Sequence, residues 1–150
     1  MSIEEIIGYL EALGGVHTLR PAPGDGSPEI AWGDVFFYYA PDGQVPARTQ
    51  PFATIITKDY PGDTASGLNR PGAFRLNIHA GKSAFTTAMG HSPRESTPGD
   101  PSEPDALHPH PTYAAAGWLA VVNPGPRTDA LLRDLLRTAH DQARSRYNRA

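Results

Sequence analysis

The 150-residue chain contains no cysteine, which excludes disulfide staples, thiolate zinc sites and cysteine nucleophiles. It also lacks any apolar run approaching the roughly twenty residues that span a bilayer. Its first residues, Met1-Ser2-Ile3-Glu4-Glu5, are acidic where a secretory leader is basic. A cytoplasmic protein with no membrane association is the expectation. Positive charge is in short supply as well: 13 Lys and Arg against 16 Asp and Glu leave a formal net charge of -3. No overall positive field therefore draws the chain to nucleic acid. Missing too are a Gly-rich phosphate loop, a dinucleotide fingerprint, a nucleophile elbow and a His-Glu-x-x-His helix. The common nucleotide-binding and hydrolase readings lose their support, and no cofactor is expected.

Glycine and proline, by contrast, are abundant at 15 and 16 residues, which favours many turns and long connections over a helix bundle. A hydrophobic share of 39% with 19% charged residues suits one core, and the length suits one domain over 1–150. Ser2 and Glu5 have capping-box spacing ahead of Ile3, Ile6, Ile7, Leu10 and Leu13, which recur at helical intervals. Gly14-Gly15 ends that helix, and Val16 to Leu19 reads as a short strand. Ile30-Ala31-Trp32 and Val35 to Tyr39 read as strands around Gly33-Asp34, and Pro41-Asp42-Gly43 turns the chain back towards Phe52 to Lys58.

Phe74, Leu76 and Ile78 alternate with Arg75, Asn77 and His79, so that strand has one core face and one polar face. A short helix over Ser83 to Met89 closes at Gly90. The proline-rich stretch at about 91–111 reads as an extended loop. Gly117 to Val122 then reads as a buried strand. Thr128 caps a long final helix whose Leu131, Leu135, Ala139, Ala143 and Tyr147 repeat at i, i+4. This order predicts an α+β fold, with an antiparallel sheet covered on one face by the N-terminal and C-terminal helices.

Glu29 to Asp34, Phe36 to Gly43, Arg48 to Thr54, Thr57 to Pro61, Arg70 to Arg75 and Gly117 to Pro126 resemble an actinobacterial domain family of unassigned function, DUF6194. That resemblance brings no catalytic residues with it. The ending, a Trp-bearing strand followed by a capped helix closing in Tyr147, is similar to the MmcQ/YjbR superfamily. The likeness implies a small α+β, double-wing fold with a DNA-binding role, although shared architecture alone does not carry function.

Four sets of residues carry candidate chemistry. Lys58, Arg75, Asn77 and His79 can share the sheet face opposite the core as a ring of donors for a carboxylate or phosphate, set against an ordinary solvated face with charge pairs, for instance to Asp59. Tyr38, within the aromatic run Phe36 to Tyr39, can floor a ligand pocket with Trp32, set against simple packing. His108 and His110, held extended by Pro109 and Pro111, place two imidazoles on one side, where His79 or His91 would be needed to complete a metal site. Arg133, Arg137, His140 and Arg144 form the best available nucleic-acid stripe on the last helix, interrupted by Asp129, Asp134 and Asp141. Together these favour a noncatalytic binding module for a small anionic or aromatic ligand, or for a protein partner, over the uncovered sheet face. The alternative is an enzyme using His79 as general acid or base with Arg75 orienting the substrate.

Overall fold

A computed structural model describes residues 1–96 and 99–149. Helix α1 spans Ile3–Ala12. The Ser2 hydroxyl accepts from the Glu5 amide at 3.1 Å and the Glu5 carboxylate accepts from the Ser2 amide at 3.0 Å, which satisfies two otherwise orphaned N–H groups. Gly15, at φ 70°, then lets strand β1 (Val16–Leu19) begin directly beneath Tyr39, whose ring carbon lies 2.5 Å from where a Cβ would stand. Only glycine permits that approach.

Strands β2 (Val35–Tyr39), β3 (Ala53–Ile56) and β4 (Arg75–His79) continue an antiparallel meander. Helix α2 (Gly81–Met89) follows. A two-residue strand β5 (His108–Pro109) and strand β6 (Trp118–Val122) complete a sheet of order β1-β2-β3-β4-β6-β5. Helix α3 runs over Asp129–Arg149. The α+β expectation holds. Period-two alternation sends Val35, Phe37, Ile55, Leu76, Ile78, Leu119 and Val121 to the helix side, where Ile6 and Leu10 of α1, Phe85 of α2 and Leu132, Leu136 and Ala139 of α3 bury them. No described helix is long and apolar enough to cross a membrane.

Several details depart from the sequence reading. Ile30 and Ala31 lie in a short 3-10 turn, Glu29–Ala31, because Pro28 and Gly33 leave too few residues for a strand and the amides of Ala31 and Trp32 close onto Pro28 and Glu29. The proline-rich loop contributes a 3-10 turn at Pro93–Glu95 and edge strand β5, where Pro109 is tolerated because an edge asks less of each amide. His140 faces inward: its Nε2 donates to the Gly14 carbonyl at 2.7 Å and its ring meets Tyr39 edge-on. The Thr128 hydroxyl does not cap α3 but donates to Asp105 at 2.6 Å.

Asp105, held at φ 50°, ties the start of α3 to the loop before β5. Its carboxylate accepts from the amides of Gly125, Arg127 and Thr128 as well as from that hydroxyl. Desolvation opposes ionisation, yet these donors prevail and hold the Asp105 carboxyl at about 2. Asp105→Asn should cost about 2 kcal/mol at pH 7, read by urea denaturation. A carboxyl with a lowered folded pKa contributes stability that is complete above its unfolded value and lost as pH falls through the folded one. The variant should therefore show a shallower loss of stability than the parent between about pH 4 and pH 2.

Candidate functional site

The polar face of β4 decides what happens on the side of the sheet away from the helices. Cross-strand register places Phe36, Thr54, Asn77, Ala120 and His108 in one row and Ile56, Arg75 and Val122 in the next. Arg75 is only 1% exposed and Asn77 2%, so their polar groups must be satisfied inside the protein. Arg75 Nε donates to Asn77 Oδ1 at 2.7 Å. Its Nη1 donates to Asp63 Oδ1 at 2.9 Å and to Ser66 Oγ at 3.0 Å, and its Nη2 donates to Asp63 Oδ2 at 2.6 Å. Asn77 Nδ2 in turn donates to the Thr54 hydroxyl at 3.0 Å. The bonds from Arg75 hold the Asp63 carboxyl below the usual carboxylate range, against the effect of burial.

Asp63 and Ser66 reach Arg75 because the chain between β3 and β4 folds back over the sheet. A second buried carboxylate anchors that excursion at its start. Asp34 Oδ1 accepts from the Thr57 amide at 2.8 Å, the Thr57 hydroxyl at 2.7 Å and Lys58 Nζ at 2.8 Å, while its Oδ2 accepts from the Tyr60 hydroxyl. Burial, and then that bond to Asp34, push the Tyr60 phenol up. Further along, Leu68 is buried against Ile56 and Val122, forming a small second core on this face.

The opposite wall comes from the residues after β5. His110 is 4% exposed, and its Nδ1 accepts from the amides of Thr112 and Tyr113, both at 3.0 Å. Its Nε2 lies 3.2 Å from Arg75 Nη2. Burial, reinforced by the Arg75 charge, pushes the imidazole down to about 4. Between the two walls lies a cavity of about 580 Å³. Thr54, Arg75 and Asn77 form its polar floor, and Phe36, Ile56, Pro51 and Trp118 supply apolar surface. Tyr60 to Asp63 bound one side, and His110, Thr112 and Tyr113 bound the other.

A protein-family profile matches residues 1–150. The chain belongs to DUF6194, a family of unknown function. No curated protein and no solved structure matches it. Roles for residues of this DUF6194 chain are therefore argued from geometry.

Of the residues singled out from the DUF6194 sequence, Arg75 and Asn77 meet in the cavity. Lys58 does not join them, since its ammonium is committed to Asp34 and to the Trp32 carbonyl at 2.8 Å each. His79 shares their face but stacks on Trp118, with ring centroids 5.1 Å apart, and donates from Nε2 to the Ala116 carbonyl. It does not line the cavity. Burial lowers its pKa. Tyr38 pairs with His17 towards the β1 edge and lies outside the cavity as well. His108 bonds the Glu103 carbonyl while His110 turns to Arg75. Among the described residues, no three His, Asp or Glu side chains are grouped as a metal ion would need.

Asp63 and the partnership of His110 with Arg75 are not legible in the sequence, because nothing local in Pro61-Gly62-Asp63 or Pro109-His110-Pro111 announces a partner dozens of residues away. The lowered pKa of His110 has a thermodynamic consequence. Between about pH 6.5 and pH 4 the unfolded chain takes up a proton that the folded imidazole refuses, so stability must fall as pH falls through that window. The loss should reach on the order of 3 kcal/mol by pH 4. His110→Asn, which cannot titrate, should flatten this slope in chemical denaturation measured from pH 7 to pH 4.

Proposed function

We propose that the protein is a cytoplasmic binding module that holds a small organic molecule with a flat, apolar body in the cavity between Asp63 and His110. The observation that carries this reading is the cavity itself. At about 580 Å³ it falls within the range of small-molecule sites, and it combines an apolar lining with a few convergent, fully buried polar groups, the usual composition of such sites. Aromatic and apolar side chains from four strands and loops suit a ring better than a chain of charges.

The charge balance favours an aromatic ligand over an anionic one. An anion about 4 Å from the Arg75 guanidinium would gain on the order of 4 kcal/mol at an effective dielectric of 20. Asp63 grips the same guanidinium through both oxygens, so the anion would meet a repulsion of the same order. What remains does not offset the several kcal/mol needed to strip an anion of its water.

The enzyme alternative needs His79 and Arg75 at one substrate, and the Ala116 carbonyl and Trp118 hold His79 elsewhere. The DNA-binding role implied by the MmcQ/YjbR resemblance is weakened because three of the five arginines of α3 pair with its own acids: Arg133 with Asp129, Arg137 with Asp134 and Arg144 with Asp141.

A screen of ring-bearing fragments by amide NMR should produce hits that shift Thr54, Asn77 and Trp118 together. Thr112→Trp places an indole at the exposed rim, so it should abolish those hits while leaving the thermal midpoint within a few degrees of the parent. Hits that cluster elsewhere, hits that persist in the plugged variant, or a screen with none would sink the binding reading.

A further inference from the structure

The contact between Arg75 and His110 is a hydrogen bond only if His110 Nε2 offers its lone pair, and the bonds at Nδ1 argue against that. A neutral imidazole has one proton and one free lone pair. Nδ1 of His110 accepts from two backbone amides, Thr112 and Tyr113, at 3.0 Å each, and a protonated Nδ1 would set three hydrogens against one another. The proton therefore resides on Nε2. Facing Nε2 at 3.2 Å is Arg75 Nη2, a nitrogen that only donates, because the guanidinium does not lose its proton in proteins. Of the five Arg75 N–H groups, four are matched to acceptors on Asn77, Asp63 and Ser66. The fifth, on Nη2, is left beside the Nε2–H. Both side chains are more than nine-tenths buried and both line the cavity.

Resting on the binding reading above, we propose that this donor pair is a receptor for one uncharged carbonyl oxygen of the ligand, such as that of an amide, a ring lactam or a ketone, with Arg75 Nη2–H and His110 Nε2–H both donating to it. With 3.2 Å between the two nitrogens, an oxygen about 2.9 Å from each would see them roughly 67° apart, so the pair would chelate one oxygen from the same side. The floor adds to the demand for an acceptor. Asn77 gives one Nδ2–H to Thr54 Oγ1, and among the described residues neither its second Nδ2–H nor the Thr54 hydroxyl hydrogen has a protein acceptor. The site thus has donors to spare while its formal charges, Arg75 and Asp63, cancel. It selects for lone pairs rather than for negative charge. The low imidazole pKa agrees with this arrangement, since it keeps His110 neutral and its Nδ1 free for the amides. The Tyr113 ring, 5.0 Å from that of His110, and the Phe36 and Trp118 rings supply flat surface for the body that carries the carbonyl.

Two measurements test the proposal, and the first needs no ligand. Long-range ¹H–¹⁵N spectra of the full chain at pH 7 should show His110 as the neutral Nε2–H tautomer. An Nδ1–H tautomer or an imidazolium would overturn the proposal. The second compares benzamide, benzoate and toluene, which share a ring and differ in the group presented. Benzamide should bind in the cavity at least tenfold more tightly than either of the others. His110→Asn keeps an acceptor for the Thr112 and Tyr113 amides, since an Asn side chain bonds its own backbone in turns, but it removes the Nε2 donor. It should weaken benzamide about tenfold, weaken toluene by much less and retain the amide spectrum of a folded protein. Benzoate binding best would mean that the site answers to charge, and toluene matching benzamide would mean that the donors need only water. Either result overturns the carbonyl assignment while leaving the cavity as the binding site. No shift of cavity amides by any of the three probes overturns both.

Discussion

A guanidinium sealed inside the protein sets the terms for everything on the second face of the sheet. Arg75 sits in the middle of β4 at 1% exposure, where an unpaired charge would cost several kcal/mol even after relaxation. Strand alternation puts it on the side that no described helix covers, so water would be its default partner. The segment between β3 and β4 instead folds back to supply Asp63 and Ser66, and Asn77 and the wall after β5 close around the rest. Removing one partner of such a pair leaves a buried charge uncompensated, at a cost of about 3–5 kcal/mol. The excursion over residues 57–73 is therefore a structural requirement of Arg75, secured by the Asp34 cluster at its beginning and by Leu68 near its end.

The same requirement creates the cavity. Covering Arg75 from two sides raises two walls above a sheet whose intervening floor remains open. Because the walls carry aromatic and proline residues while the floor carries donors, the space is polar at the bottom and apolar around it. Asp63 both completes the ion pair and removes its net charge, so the cavity keeps hydrogen-bonding capacity without an electrostatic pull on anions. A buried imidazole beside a buried guanidinium reinforces this property, since each disfavours a further positive charge on the other.

Much of the fold was legible because short-range rules govern it. The capping box at Ser2 and Glu5, the i, i+4 leucines of α3 and the alternation in Phe74 to His79 each express one element's own geometry, and each element formed as that geometry demands. Local pattern does not reach a residue whose state depends on a distant partner. His140 looked solvent-facing on its helix and is buried because Gly14 offers a carbonyl. Lys58 looked free and is held by Asp34, twenty-four residues earlier. Ile30 to Trp32 have strand-forming residues but, among the described residues, no neighbouring strand with which to pair.

The sequence by itself determined the α+β class, the helix-facing core and a polar face of β4 that carries Arg75, Asn77 and His79. All of these follow from periodicities of two and 3.6 residues acting over a few positions. Tertiary structure alone decided that Arg75 is neutralised by Asp63, that His110 rather than His79 stands beside it, and that the two leave spare donors above the sheet. Those outcomes depend on loop paths, whose course is set by where buried charges and amides find partners across the fold. No local pattern in the chain encodes that matching.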